Sequence, residues 1–182
     1  MGRSNRVGPD PVMDISSQLR ADDLKWMHRA IELARQGAAD PKGSPIGCVI
    51  TRGGKVIGEG YNEAELRHDP TAHAEIVAMR RAGRNLQCSE FRDATLYTTL
   101  QPCGMCSMAV IWAKIGRIVH GAGHGEVHKM YFEEKHLDTI DYINDAYRDD
   151  RLTVIDGLLA EECAILYVSP GTKVPTEQQF NR

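Results

Sequence analysis

Two stretches of sequence decide the fold and the chemistry of this chain: His73-Ala74-Glu75 and Pro102-Cys103-Gly104-Met105-Cys106. One imidazole and two thiolates are good ligands for zinc, and three protein ligands leave the fourth tetrahedral position open for water, which is typical of a catalytic site. Bound zinc lowers the pKa of that water towards ~7. Glu75 is not needed as a ligand, and we expect its carboxylate to carry protons.

Both stretches lie where helices are predicted to start. The apolar spacing predicts one helix over 71–82 and another over 103–113. Cys103 and Cys106 are three residues apart, so they share one face of the first turn. The free N–H groups and the positive dipole end of a helix N-terminus favour a thiolate over a thiol. We therefore expect two helix N-termini to meet at one metal ion.

The remaining pattern alternates strands with helices. Two apolar runs around Arg52-Gly53-Gly54 predict a β-hairpin. Further strands are predicted over 95–99, 117–120 and 151–155, with additional helices over 22–38, 137–147 and 158–167. This order predicts a layered α/β domain, with an antiparallel first strand pair and later strands that can run parallel because helices separate them.

Length and composition indicate one globular domain. The 182 residues carry a formal net charge of −3, whereas a protein that grips a polyanion usually presents a basic face, so nucleic acid is a less favoured partner. No apolar run reaches the ~18 residues that span a membrane. We predict a mobile N-terminal arm over 1–20, the catalytic domain over 21–168 and a C-terminal tail over 169–182.

The cysteines and the N-terminus favour the cytoplasm. The first residues lack the apolar stretch of a signal peptide, and an odd number of cysteines argues against a disulfide framework. Cys48 and Cys163 lie in apolar segments, and we expect both to be core residues. Trp112, at the end of the second predicted helix, is expected to pack in the core rather than to stack on a ligand.

The pattern His-x-Glu followed by Pro-Cys-x-x-Cys is the signature of zinc deaminases. With this signature, the chain resembles the cytidine-deaminase-like zinc deaminases, in the branch of bacterial tRNA adenosine deaminases, guanine deaminases and fungal-type cytosine deaminases. The resemblance is strongest over residues 58–62, 68–76 and 96–106. It implies a three-layer α/β/α domain with a five-stranded mixed sheet, one Zn²⁺ per chain and a homodimer.

The resemblance also implies roles for individual residues. His73, Cys103 and Cys106 would bind zinc, and Glu75 would carry protons between water and substrate. The backbone N–H of Cys103 would stabilise the tetrahedral centre, and Asn62 would hydrogen-bond the base. Further from the metal, Ala72 and Ile46 would form apolar walls of the pocket. Glu133 would act as a second acid, and Phe132 or Tyr131 would cover the base.

The chain departs from its relatives in ways that affect the choice of substrate. Gln101 stands where many relatives have Glu, and Ile46 replaces the Phe typical of guanine deaminases, which removes an aromatic ring. The basic C-terminal helix usual in the tRNA enzymes has no counterpart here. The acidic segment 123–150 is the part expected to set substrate choice, although a solvated charged helix is the simpler interpretation of it.

These observations predict a zinc-dependent hydrolytic deaminase that acts on a small nucleobase or nucleoside. Guanine or another aminopurine and a cytosine-like base both remain open. One alternative is a tRNA adenosine deaminase. Another is a non-catalytic binding subunit stabilised by zinc, in which His120, His124, His128 or His136 could supply a fourth ligand. His124 and His128 also have metal-like spacing, but a second metal ion is the less favoured interpretation.

Overall fold

A five-stranded mixed sheet forms the centre of the domain. The computed structural model describes residues 15–132 and 152–175. The strands are β1 (Ser44–Arg52), β2 (Lys55–Asn62), β3 (Ala94–Leu100), β4 (Arg117–Ala122) and β5 (Thr153–Ile155). Their order is β2-β1-β3-β4-β5. β1 runs antiparallel to both of its neighbours, and β3, β4 and β5 are parallel, which confirms the predicted mixed sheet.

Helices cover both faces of this sheet. They are α1 (Asp23–Ala39), α2 (Ala64–Arg67), α3 (Ala74–Leu86), α4 (Gly104–Trp112) and α5 (Ala160–Ala164). Residues of α1 and α5 pack with one face of the sheet in a single buried cluster, and residues of α3 and α4 pack with the other face in a second cluster. Neighbouring residues of β1, β3 and β4, such as Val49 and Ile50, enter opposite clusters, as the two-residue period of a strand requires. The predicted three-layer α/β/α architecture is confirmed.

The first strand pair depends on glycine at two places. Gly53 and Gly54 have φ of 58° and 72° in the turn between β1 and β2, a backbone region that disfavours a side chain. Gly47 lies where α1 crosses β1, and a Cβ there would be 2.0 Å from the carbonyl oxygen of Ala30. The hairpin was predicted from the Gly-Gly turn, whereas the close helix–strand approach at Gly47 appears only in the folded chain.

A buried ion pair ties α1 to β4. Arg117 donates to the Asp23 carboxylate through Nη1 at 2.8 Å and Nη2 at 2.7 Å. The hydroxyl of Tyr97 donates to the same carboxylate at 2.8 Å, and the backbone N–H of Arg20 donates at 2.7 Å. Burial alone would raise the pKa of Asp23, but these four hydrogen bonds outweigh it and the pKa is lowered.

Several local expectations need correction. The helix predicted over 71–82 begins later, at Ala74, because Asp69 accepts the N–H of Thr71 in a turn before the helix. The helix predicted over 158–167 is limited to α5. The expectation that Trp112 packs in the core is wrong, since its side chain is 73% exposed. α4 directs Val110 to the sheet, and a residue two positions later lies on the opposite side of a helix.

Other expectations are confirmed or lie outside the described residues. Cys48 and Cys163 are fully buried core residues, as predicted. Among the described residues, no helix has both the length and the apolar character needed to cross a membrane. The predicted helix over 137–147 and most of the predicted N-terminal arm lie outside the described residues, and the proposed domain boundaries stay predictions.

Candidate active site

Three metal-binding side chains meet where α3 and α4 begin. His73 is the residue immediately before α3, and Cys103 is the residue immediately before α4. Cys106 follows within the first turn of α4 and is fully buried, whereas His73 and Cys103 are partly exposed. The ligand atoms of these three side chains lie close together. Among residues 15–132 and 152–175, no further His, Cys, Asp or Glu joins this group.

The spacing of the donor atoms fits zinc. Nδ1 of His73 lies 3.6 Å from Sγ of Cys103 and 3.7 Å from Sγ of Cys106. A tetrahedral ion with Zn–N of ~2.0–2.1 Å and Zn–S of ~2.3 Å separates N and S donors by about 3.6 Å. One nitrogen and two sulfur donors form the Cys₂His set that catalytic zinc uses. The residues present therefore fit a single zinc ion.

The two thiols differ in acidity. The hydrogen bond from Cys106 to Cys103, together with the neighbouring His73, lowers the pKa of the Cys103 thiol to about 5. The same hydrogen bond and deep burial raise the pKa of the Cys106 thiol. The site therefore favours a thiolate at Cys103 at neutral pH.

Glu75 lies beside this group in the first turn of α3. Its side chain is 4% exposed. Oε1 accepts a hydrogen bond from the Thr98 hydroxyl at 3.4 Å, and Oε2 lies 3.5 Å from Sγ of Cys106. Burial and the negative charge of Cys103 raise the pKa of Glu75. A raised pKa makes this carboxyl easier to protonate than an exposed Glu, which suits a group that takes up and returns protons.

A cavity of about 310 Å³ opens beside His73. Its volume is at the lower end of the ~300–1,000 Å³ typical of small-molecule sites. Besides His73, the lining residues are Ser44, Ile46, Asn62, Ala64, Glu65, Pro70 and Tyr131. Of the described residues that line it, none is Lys or Arg, and Glu65 supplies the one carboxylate.

The structure brings some predicted pocket residues to this cavity and not others. Asn62, at the end of β2, lines it and accepts the N–H of Ala64 through Oδ1 at 3.0 Å. Its amide nitrogen thereby remains as the group that can donate to a ligand. Ile46 also lines the cavity. Ala72 is fully buried outside the lining, where its carbonyl accepts the N–H of Glu63 at 2.9 Å.

The aromatic residues after β4 take different positions from each other. Phe132 is buried and stacks on His124 with ring centroids 4.2 Å apart, outside the cavity lining. Its neighbour Tyr131 lines the cavity instead. Sequence reasoning named both rings but could not separate them, because adjacent residues in an irregular segment have no period that assigns a face. Glu133 lies outside the described residues.

A comparison with family models shows where the chain belongs. The model described as "Cytidine and deoxycytidylate deaminase zinc-binding region" matches residues 20–122, more than half of the chain. The chain belongs to this zinc deaminase family. It is a zinc-dependent hydrolytic deaminase, and its cofactor is zinc.

Relatives within the family act on different substrates. The chain is 36% identical to a tRNA-specific adenosine deaminase of Haemophilus influenzae over 84% of either chain. It is also 36% identical to a guanine deaminase of Bacillus subtilis, over 62% of this chain and 72% of the relative. A solved structure in complex with 2,6-diaminopurine has a TM-score of 0.71 and 26% identity, covering 81% of this chain and 80% of that chain. Family membership therefore determines the reaction and leaves the substrate open.

Proposed function

We propose that this deaminase removes the exocyclic amine of a free nucleobase or nucleoside, with an aminopurine preferred. The observation that carries this proposal is the cavity beside His73, which is small and whose described lining has no Lys or Arg. A phosphate-bearing substrate would favour Lys or Arg at such a site. The Tyr131 ring at the cavity supports a purine, since a bicyclic base offers more surface for stacking.

We assign the site residues as follows. His73, Cys103 and Cys106 hold one zinc ion, which supplies an activated water as the nucleophile when bound. The Glu75 carboxylate would take a proton from the attacking water as the new C–O bond forms and give it to the ring nitrogen. It would then take the second proton, from the new hydroxyl group, and give it to the departing nitrogen. The C–N bond then breaks, and ammonia leaves with a ring carbonyl as product. Asn62 orients the base through its amide, and the backbone N–H of Cys103 stabilises the developing negative charge.

A second candidate substrate is a tRNA adenosine. The support for it is the similarity to the Haemophilus influenzae enzyme, which extends over most of both chains. Binding of a polyanion releases counterions, so affinity for tRNA falls steeply with salt. A neutral free base carries no such dependence. The two candidates therefore predict different responses to ionic strength: a steep loss of activity for tRNA and little change for a free base.

The deciding experiment measures ammonia release from the zinc-loaded protein. The panel contains guanine, 2,6-diaminopurine, cytosine, adenosine and a tRNA anticodon stem-loop, each at about 50 mM and 200 mM salt. We expect turnover of at least one purine base with a similar kcat/KM at both salt concentrations. Turnover of the stem-loop alone, with a strong loss at the higher salt, would refute the free-base proposal in favour of the tRNA substrate.

We also propose a homodimer formed through the exposed side of α4. Trp112 is 73% exposed and Met105 is 37% exposed, and residues seven positions apart lie on the same side of a helix. Replacing Trp112 with Glu is expected to convert a dimer to a monomer in analytical ultracentrifugation. Ile165→Glu, at another exposed apolar residue, serves as the matched control. The cytoplasm stays our proposed location, supported by five cysteines that form no disulfide.

A further inference from the structure

Two walls of the cavity come from distant parts of the chain. Ile46 belongs to β1, and Tyr131 belongs to a short 3-10 helix, Lys129–Tyr131, in the segment after β4. Neither residue lies within one turn of a metal ligand in sequence. Their relative placement must therefore be determined by tertiary contacts.

Tyr131 is fixed by the segment that follows α5. The backbone N–H of Val168 donates to the Tyr131 hydroxyl at 3.3 Å, and the Val168 carbonyl accepts the N–H of His128 at 2.7 Å. The ring of Tyr167 packs edge-on against Tyr131, with centroids 5.3 Å apart and planes at 68°. These contacts hold Tyr131 in place at the cavity.

The Ile46 wall is joined to the same segment through Thr99. The backbone N–H of Gly47, the residue after Ile46, donates to Oγ1 of Thr99 at 3.1 Å. The same Oγ1 forms a hydrogen bond of 2.6 Å with the hydroxyl of Tyr167. Thr99 is fully buried and Tyr167 is 7% exposed. Contacts therefore run without a break from Ile46 through Gly47, Thr99 and Tyr167 to Tyr131.

Core packing by itself does not account for these hydroxyl groups. Burying a hydroxyl costs free energy unless it forms a hydrogen bond, and an apolar side chain of similar shape fills a core equally well. Here two buried hydroxyls bind each other at short distance, in the position that relates the two cavity walls. A pair of directional bonds sets the relative position of two segments more narrowly than apolar contact does.

We propose that Tyr131 is a specificity-determining wall of the base cavity, and that Thr99 and Tyr167 are positioning residues that set its placement relative to Ile46. This inference rests on the proposed function, because it concerns the same cavity. According to this proposal, the preference for purines comes from Tyr131, after β4. The wall that β1 contributes to the cavity is the aliphatic side chain of Ile46.

The experiment uses zinc-loaded full-length protein with 2,6-diaminopurine and cytosine as probes. KM and kcat are measured by ammonia release, and Kd by calorimetry. Tyr167→Phe keeps the ring and removes the bond to Thr99, and Thr99→Val removes the shared hydroxyl with little change of shape. Thr99→Ser keeps both hydrogen bonds and is the conservative control. Ile155→Val, in the same buried cluster but outside the network, is the control for general destabilisation.

We expect Tyr167→Phe to raise KM and Kd for 2,6-diaminopurine about tenfold with kcat within about twofold, because binding is lost without change to the reacting groups. The double variant Tyr167→Phe with Thr99→Val should show no more than the effect of Thr99→Val alone, since Thr99→Val already removes the bond that Tyr167→Phe breaks. Tyr131→Leu should reduce the preference for 2,6-diaminopurine over cytosine. Thr99→Ser and Ile155→Val should leave KM unchanged.

The inference is overturned if Tyr167→Phe leaves KM and Kd unchanged. It is also overturned if Ile155→Val, with the same loss of thermal stability as Tyr167→Phe, shifts KM and Kd as much as Tyr167→Phe does. Additive effects of the two hydroxyl variants would overturn the claim that Tyr167 acts through Thr99. A wild-type protein that binds 2,6-diaminopurine but releases no ammonia from any free base or nucleoside would refute the proposed function alone. The Kd values of the variants for 2,6-diaminopurine would then still test whether Thr99 and Tyr167 position Tyr131.

Discussion

The hydroxyl of Thr98 donates to Oε1 of Glu75 across 3.4 Å, which joins the central strand β3 to the first turn of α3. Both side chains are buried, with Thr98 fully enclosed and Glu75 4% exposed. The carboxyl we assign as proton carrier is therefore held by the sheet as well as by its own helix. Its orientation beside Cys106 depends on a residue outside both halves of the zinc signature.

Thr98→Val is expected to lower kcat while KM changes little. The variant removes the hydrogen bond that orients Glu75 but leaves the cavity lining intact, and loss of one such bond costs about tenfold in rate. Thr98→Ser keeps the hydroxyl and should retain nearly full kcat. Steady-state kinetics and zinc analysis of both variants check this. Equal kcat for the Val and Ser variants would show that the bond has no part in catalysis.

Glu75→Gln should abolish ammonia release without loss of zinc. The amide keeps the shape of the side chain but cannot accept a proton, and removal of a general acid–base group typically costs about 10²–10⁴ in kcat. Metal content by mass spectrometry should stay at one zinc per chain, because His73, Cys103 and Cys106 are unaltered. Glu32→Gln, at an exposed carboxylate on α1, is the matched control. Retained activity in Glu75→Gln would remove the mechanism we assign to it.

Asn62→Asp should separate the structural role of this side chain from its role in binding. An Asp carboxylate still accepts the N–H of Ala64, so the turn after β2 and the thermal stability should be preserved. It cannot donate to a base as the Asn amide does, and a buried polar partner left unpaired costs about 10–100-fold in kcat/KM. We expect KM to rise. If KM is unchanged while Asn62→Ala lowers the melting temperature, the residue serves the turn alone.

The Asp23–Arg117 ion pair should contribute to stability at neutral pH and less in acid. The folded-state pKa of Asp23 is lowered below the unfolded value of about 3.9. Its contribution is therefore fully present above about pH 4 and is lost as the pH falls through the folded-state pKa. Asp23→Asn leaves the Arg117 charge buried without its counterion, which costs about 3–5 kcal/mol at pH 7.

Urea denaturation at pH 7 and at about pH 3 tests this expectation, since the difference between wild type and Asp23→Asn should shrink at the lower pH. The control is Glu90→Gln, which breaks the exposed pair with Arg92 and should cost at most about 1 kcal/mol at either pH. A difference between wild type and Asp23→Asn that is independent of pH would mean that packing rather than charge stabilises this junction.

Local patterns were sufficient for part of the site. Three-residue spacing places Cys103 and Cys106 on one face of a helix whatever surrounds them, and the structure brings both sulfurs to His73. The Gly-Gly turn predicted the hairpin for the same reason, because a positive φ is a property of two residues and their immediate neighbours. The three-layer fold followed from the alternation of strands and helices.

Other features could not be predicted from local patterns. Trp112 was expected in the core, yet its side of α4 faces solvent, because the sheet contacts only the opposite side. The start of α3 at Ala74 depends on a turn that competes with the helix for the same backbone groups. Tyr131 and Phe132 are adjacent in sequence, and packing of Tyr131 against Tyr167 distinguishes them.

The sequence by itself determined the metal and predicted its ligands and the proton carrier, because these residues belong to two short segments. The local helical geometry of those segments places their side chains close to one another. Only the tertiary structure decided which side chains form the cavity and how they are held. The bonds that join Ile46 to Tyr131 pass through Thr99 and Tyr167. They connect residues far apart along the chain, and such contacts exist only after the sheet and its two helical layers have assembled.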